Sequence, residues 1–404
     1  MLRRLLSIAL LTVAAAVPAA AQITPPPDPD VPLIQLGPFG ISPTLMLRDI
    51  GLDENVFNER ENPKSDFTLT VLPRAEIIFK PRNMKIAYAA ATEYVYYRDY
   101  ESERSTNLSS SVRADVTLGW FLPYVLARAT NSRQRYNAEV DERARHRERV
   151  YGGGFGIRVG TRLNFGASGR TIRLRFDEDE TFRGESLARS FDSDINAIEG
   201  SAGFQLTPFT LFSVVVSREQ QRFEIAQERD SDSIRVTPMF AFSPEAVLNG
   251  SIAIGYRRFK PRTTALPGYS GLVATVTIAS TLWNRHRVET VFGRDLRYSY
   301  NEDTPYYLAT GGSLTVTSQL VGPFDIRLTG SRQLMAYRGL GTAATERPGD
   351  DTVGSYGGGV GYRFREQLRV GLNAEWIRRG SDLAADREYR NRRIFASLTW
   401  GKQL

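Results

Sequence analysis

From about Ser42 onward, apolar and polar residues alternate with a period of two. In the segment 67–79, Phe67, Leu69, Val71, Pro73, Ala75, Ile77 and Phe79 fall on one face, and Thr68, Thr70, Leu72, Arg74, Glu76 and Ile78 on the other. Val112, Ala114, Val116, Leu118 and Trp120 oppose Arg113, Asp115, Thr117 and Gly119. Ile172, Leu174 and Phe176 oppose Arg173, Arg175 and Asp177, and Phe324, Ile326 and Leu328 oppose Asp325, Arg327 and Thr329. Successive strand side chains point to opposite faces, so each segment is a strand with one apolar and one polar face.

The pattern predicts about eighteen strands, with sixteen as the nearest alternative. They lie near 44–53, 67–79, 84–97, 106–120, 122–135, 150–160, 169–181, 193–207 and 209–223. The rest lie near 231–243, 246–259, 271–283, 286–300, 307–320, 324–337, 353–364, 366–379 and 389–401. Their linkers alternate in kind. Short ones such as 80–83, 243–245 and 321–323 carry Pro or Gly; long, charged ones such as 54–66, 136–149, 182–192 and 338–352 fall between them. A β-sandwich has no reason to keep that alternation, whereas an outer-membrane barrel has short periplasmic turns and long outer loops. The predicted fold is therefore all-β: one antiparallel transmembrane β-barrel over 44–404, with both barrel termini periplasmic. Aromatics gather at both ends. Phe79, Trp120, Phe209, Trp283, Phe324 and Trp400 flank short turns; Tyr96, Tyr97, Tyr136, Phe182, Phe223, Phe259, Tyr298, Tyr300, Tyr306 and Tyr337 flank long loops. Two interfacial belts are the expectation.

The N-terminus departs from this pattern. Met1-Leu2-Arg3-Arg4 is a short basic start, an apolar run of about thirteen residues follows, and Pro18-Ala19-Ala20-Ala21 offers a small-residue cleavage site. Residues 1–21 are expected to be a secretory signal peptide, the run being too short to span a bilayer comfortably. Residues 22–43 hold Pro25, Pro26, Pro27, Pro29, Pro32, Pro38 and Pro43 and are expected to be an extended periplasmic leader.

Composition narrows the chemistry. Mean hydropathy is −0.31, which a barrel tolerates because only alternate residues meet lipid. The chain has no Cys, which rules out disulfides and a lipidated cysteine, and only two His. His146 lies in a charged long linker and His286 beside a short turn, so they cannot share a triad or metal site, and neither an enzyme nor a cofactor is expected. Asp177-Glu178-Asp179-Glu180 could attract a cation, but a solvated strand end is the simpler account. Gly152-Gly153-Gly154-Phe155-Gly156 lies in a strand with no helix after it, so it is read as close packing or curvature. The net charge of +7 points to anionic lipid, lipopolysaccharide or an anionic polymer sooner than nucleic acid.

Leu52-Asp53-Glu54-Asn55-Val56-Phe57-Asn58, followed by Pro63-Lys64-Ser65-Asp66-Phe67-Thr68-Leu69-Thr70-Val71-Leu72-Pro73, resembles the opening hairpin of the putative β-barrel porin 2 family. The resemblance implies a pore-type role, often alongside exopolysaccharide synthesis and export, and supplies no catalytic residues. Such barrels usually end on an aromatic residue read by the barrel assembly machinery; here Trp400 is followed by Gly401-Lys402-Gln403-Leu404.

The polar face then becomes the candidate site. Arg74, Glu76, Arg113, Asp115, Arg158, Arg173, Arg175, Glu199, Arg235, Arg257, Asp325, Arg327, Arg363, Arg369 and Glu375 are predicted to line the pore. Rings of Arg select anions at close quarters, which suits an acidic exopolysaccharide or small anions as cargo. The alternative is a structural or surface-interaction barrel in which Arg and carboxylates pair across strands and plug the lumen.

Overall fold

The computed structural model of the chain describes residues 32–243, 246–264, 266–339, 349–364 and 367–401. The expected signal peptide lies outside the described residues, as does the leader up to residue 31. Eighteen long strands form one sheet. The first six are β1 (Phe39–Asp53), β2 (Asp66–Phe79), β3 (Met84–Tyr97), β4 (Ser105–Val116), β5 (Phe121–Arg135) and β6 (Arg143–Val159). Next come β7 (Leu163–Phe176), β8 (Ser193–Thr207), β9 (Thr210–Phe223), β10 (Ser231–Phe242), β11 (Leu248–Pro261) and β12 (Tyr269–Leu282). The last are β13 (His286–Tyr298), β14 (Tyr306–Gln319), β15 (Phe324–Arg338), β16 (Asp350–Phe364), β17 (Leu368–Ser381) and β18 (Tyr389–Gly401). Each pairs antiparallel with its neighbours in sequence, and β1 pairs with β18 from Thr44↔Gly401 to Asp53↔Arg393. The sheet is thus a closed antiparallel barrel, and closure leaves no long edge unpaired.

Three strand starts lie five or more residues before the expected ones. β1 begins at Phe39, inside the expected leader, and is preceded by Ile34–Leu36 folded back on it through Leu36↔Phe39. β6 begins at Arg143 rather than 150, and β7 at Leu163 rather than 169. The run Arg143-Ala144-Arg145-His146-Arg147-Glu148-Arg149 is dense in charge but alternates: Ala144 and Val150 are buried while Arg147 and Arg149 are exposed. It is a strand, and the turn before β7 is Gly160-Thr161-Arg162, with Gly160 at φ +62°.

The alternation sorts the side chains cleanly. Along β2, Phe67, Pro73 and Ile77 are exposed and Thr68, Thr70, Leu72 and Ile78 buried. Along β9, Val216 is exposed and Leu211, Ser213 and Val215 buried. The exposed face is the outside of the barrel. At the short-turn end it carries Phe39, Trp120, Phe209, Trp283, Phe324, Phe364 and Trp400. At the other end the outward aromatics are Tyr94, Tyr96, Tyr151, Tyr256 and the stacked pair Tyr356 and Trp376, whose ring centroids are 5.3 Å apart. Most aromatics expected in that second belt are elsewhere. Tyr97, Phe182, Phe223, Phe259, Tyr298, Tyr300, Tyr306 and Tyr337 are buried inside the long-loop end.

The seam is irregular at one place. The ladder shifts between Leu47 and Ile50, with Asp49 at φ +56°. A Cβ on Gly51 would stand 2.0 Å from the Ile394 carbonyl oxygen, so only glycine lets β1 lie against β18 there.

Candidate functional site

Thirteen of the fifteen residues expected to line the pore share the inner face with the buried residues of their strands. They are heavily paired. Arg74 meets Glu76 at 2.7 Å, and Arg113 meets Asp115 at 2.7 Å with its guanidinium 4.3 Å over the Tyr124 ring. Arg235 and Arg257 share Asp295 at 2.7 and 2.9 Å, and Arg257 also reaches Glu219 at 3.0 Å. Glu199 lies 3.5 Å from Arg170, and Glu375 lies 3.6 Å from Arg393. Arg158 is exposed near the short-turn end.

The remaining four form a basic cluster near the short turns of β15 to β17. Asp325, 1% exposed, accepts from Arg363 at 3.2 Å and from Arg369 at 2.6 Å. Arg327 stands on the same strand face with no ion pair among the described residues, and its Nε is buried without a hydrogen-bond partner. Glu289, on β13, is bound by Arg287 at 2.8 Å. Glycine makes the room: a Cβ on Gly361 would lie 2.2 Å from Nη2 of Arg369. Three guanidinium groups therefore surround one fully paired carboxylate.

Arg173 and Arg175 do not line the lumen. They share the outer face of β7 with exposed Leu163 and Phe165, while Leu174 and Phe176 point inward and are buried. The polarity inverts because the upper strand ends project past any bilayer. About ten residues suffice to cross one. Above that level the outside meets water and the inside meets packed loops. Leu163 and Phe165 would have revealed the parity from sequence, since no bulge separates them from Arg173. The sequence pattern also missed inner-face residues: Arg48 bonded to Glu93, Asn107 donating to Glu93 at 2.7 Å, Arg170, Asp295, Arg128 and Arg393.

The long-loop end is filled from within. Loop 136–142, between β5 and β6, is turned inward by Asn137, whose side-chain oxygen accepts from the backbone N–H groups of Glu139 and Val140, each at 2.8 Å. Glu139 and Val140 are 0% exposed. Arg135 donates to the Asp141 and Val56 carbonyls, and Asn58 donates to the Asp141 carbonyl, tying this loop to the one after β1. From β17, Arg379 donates to Asp141 at 2.8 Å, to the Glu139 carbonyl at 3.0 Å and to Asp351 at 2.5 Å. Arg387 adds contacts to Asp351 at 3.3 Å and to the Tyr337 hydroxyl at 3.0 Å. Across the opening, Ser299 donates to Glu139 Oε1 at 2.6 Å and the Tyr300 N–H to Oε2 at 3.3 Å. Burial pushes the Glu139 carboxyl up to about 7 despite Ser299, Arg387 and the Tyr300 amide, which all favour its charged form.

Two apolar clusters flank this polar centre. One joins Val140, Phe176, Phe182, Leu187, Phe191, Phe223, Phe259, Tyr298, Tyr300 and Tyr306; the other joins Tyr307, Met335 and Tyr337. The short helix Leu187–Phe191, N-capped by Ser186, carries two of these residues inward. Burying aromatic rings is worth a few kcal/mol each, which explains why loop-flanking aromatics turned inward. The acidic run after β7 is used structurally: Glu180 accepts from the Arg145 N–H at 2.9 Å and Asp177 from Arg147 at 3.0 Å. His146 and His286 sit on different strands, with Ser132 and Ser318 as their respective side-chain neighbours. Among the described residues no cluster of three His, Asp or Glu could hold a metal ion.

Comparison with known proteins agrees with this architecture. The crystal structure of OccK2 (OpdF) from Pseudomonas aeruginosa superposes with a TM-score of 0.51 at 10% identity, over 89% of this chain and 98% of that one. A BenF-like porin from Pseudomonas fluorescens Pf-5 gives 0.50 at 11% identity over the same shares. No curated protein matches. At such identities the likeness concerns the fold, that of a porin-like outer-membrane channel. The model of one family, Putative beta-barrel porin 2, matches residues 33–401, nearly the whole described barrel, and the chain belongs to that family.

Proposed function

We propose that the protein is a gated channel that passes anions, an acidic exopolysaccharide being the polymer its lining fits best. The supporting observation is the basic cluster, in which Arg327, Arg363 and Arg369 stand around Asp325, with the Arg287–Glu289 pair beside Arg327, so that four guanidinium groups face two carboxylates. Most other inner-face charges cancel in pairs, so this cluster sets the local sign. A guanidinium with spare donors binds carboxylates of a passing chain and releases them to the next. Around it the inner face offers hydroxyls and amides such as Thr329, Ser331, Ser355 and Asn373, suited to sugar hydroxyls. The long-loop end is assigned to the outside and both barrel ends of the chain to the periplasm, because short turns face the periplasm in outer-membrane barrels. In this reading the plug at the long-loop end is a gate.

The test is channel block. Purified, refolded protein in planar bilayers is exposed to an oligouronate and to a neutral oligosaccharide of equal length. The oligouronate is expected to interrupt the current at lower concentration, and Arg327→Glu with Arg363→Glu to abolish the difference. Equal block by both sugars contradicts the proposal. A second reading, a non-conducting barrel whose loops make surface contacts, is favoured by the buried plug centred on Glu139. Absence of conductance at every voltage and pH would favour it.

A further inference from the structure

Conduction leaves one surface unused: the outside of β6 to β9 at the long-loop end. Arg149 lies directly opposite Arg173, and Arg147 directly opposite Arg175, all on the outer face. Like charges placed directly across strands repel. Arg147 and Arg175 are met by Asp177 at 3.0 Å and Asp194 at 2.8 Å. Arg173, its side chain 57% exposed, has only the shared Asp194 at 3.7 Å. Arg149, and Arg218 on β9, are exposed and have no ion pair among the described residues.

Just below this basic rim the wall is hollow. Gly153 and Gly169 face each other across β6 and β7 on the outer face. Beside them is a groove of about 610 Å³ lined by Tyr151, Gly169, Thr171, Asn196, Ile198 and Arg218. Exposed Ile198, Val216 and Phe165 continue it downwards. A hydrocarbon layer crossed by about ten residues per tilted strand reaches the level of Val150, Ile172 and Glu219. Arg149, Arg173 and Arg218 therefore stand at the boundary where lipid headgroups begin.

We propose that this face binds one phosphorylated, multiply acylated glycolipid of the outer leaflet. The phosphates pair with Arg149, Arg173 and Arg218, and an acyl chain lies against the glycine-floored groove. The inference rests on the proposed orientation of the barrel but not on its conducting anything. Charge complementarity selects this partner: Arg149 and Arg218, exposed and without carboxylates, and Arg173, which only shares Asp194 at 3.7 Å, match phosphate oxygens, and the adjoining apolar cleft matches a chain that a soluble anion lacks.

The test titrates the full, folded chain in detergent with a bisphosphorylated, hexa-acylated glucosamine disaccharide lipid, read by native mass spectrometry. Arg149→Gln, Arg173→Gln and Arg218→Gln together are expected to weaken binding at least tenfold. The outward control set Arg332→Gln, Arg378→Gln and Arg390→Gln on β15, β17 and β18 is expected to change it less than twofold. The dephosphorylated lipid is expected to bind wild type at least tenfold more weakly. Heat-modifiable gel mobility confirms folding, and Arg173→Gln alone, expected to weaken binding about threefold, serves if the triple variant does not fold. Wild-type affinity in the triple variant (or in the single one, where that is used), equal loss in the control set, or equal affinity for the dephosphorylated lipid would each overturn the proposal. Unchanged conductance in the triple variant separates this outcome from the channel reading.

Discussion

Closure of the long-loop end should depend on pH through Glu139. In the closed mouth this carboxyl is fully buried and its affinity for a proton is raised, to about 7, whereas a solvated glutamate titrates at 4.5. In the proposed open form it would be exposed. The closed form then holds a proton that the open form has released, so closure is at full strength below the solvated value and weakens as pH rises towards about 7. The difference is on the order of 3 kcal/mol, or about a hundredfold in the closed-to-open ratio. The groups facing Glu139 are Arg387, Arg379 and Arg229, Asp351 behind the first two, and Ser299, Tyr300, Tyr307 and Tyr337. The arginines keep part of their attraction once Glu139 is charged, which holds its value near 7 rather than higher. Open probability of single channels should therefore rise between pH 5 and pH 8. In Glu139→Gln the Ser299 hydroxyl can still donate to the side-chain oxygen, but no proton is exchanged, and the pH response should largely disappear. A wild-type channel with constant open probability over that range, or a Glu139→Gln channel that keeps the response, refutes the reasoning.

Other parts of the structure give sharper expectations. Arg379→Ala leaves Asp141 and Asp351 buried without their shared partner, a loss of about 3–5 kcal/mol; limited trypsin digestion should then cut the long-loop end far faster, and unchanged digestion would contradict the role of Arg379 as its tie. Gly51→Ala drives a Cβ into the Ile394 carbonyl at the β1–β18 seam, costing roughly 1–3 kcal/mol or more, so the temperature at which the barrel loses its compact gel mobility should fall. Gly200→Ala, with nothing within 4 Å of its Cβ, should leave that temperature nearly unchanged. Arg173→Glu with Arg175→Glu should leave ion selectivity as it is, because both side chains stand outside; a reversal would show that the faces have been misassigned.

The barrel was legible because period two is a strong signal wherever one face meets lipid and the other water. Phe67 to Phe79 and Leu368 to Trp376 could be read directly. The reading failed above the membrane, where the rule reverses. Arg173 and Arg175 look like lumen residues only if the lipid side is assumed to be apolar along the whole strand. The aromatic residues Phe182, Tyr298 and Tyr337 resemble an interfacial belt in sequence because they flank loops, but long-range packing draws them inward. The partners of Arg379 are as remote as Asp141, 238 positions away, a contact no local pattern encodes. All four residues of the Asp325 cluster could be read as inward-facing, since each falls on the polar face of its own strand. The cluster's closure by Arg363 and Arg369 follows from the register of β15 to β17.

The most direct test of the account is the reversal potential of the refolded wild-type channel across a KCl gradient, measured near pH 8 where the gate is least stable. The account predicts anion preference, reversed to cation preference by Arg327→Glu and Arg363→Glu. Cation preference in the wild type, or a preference that those substitutions leave unchanged, would contradict it.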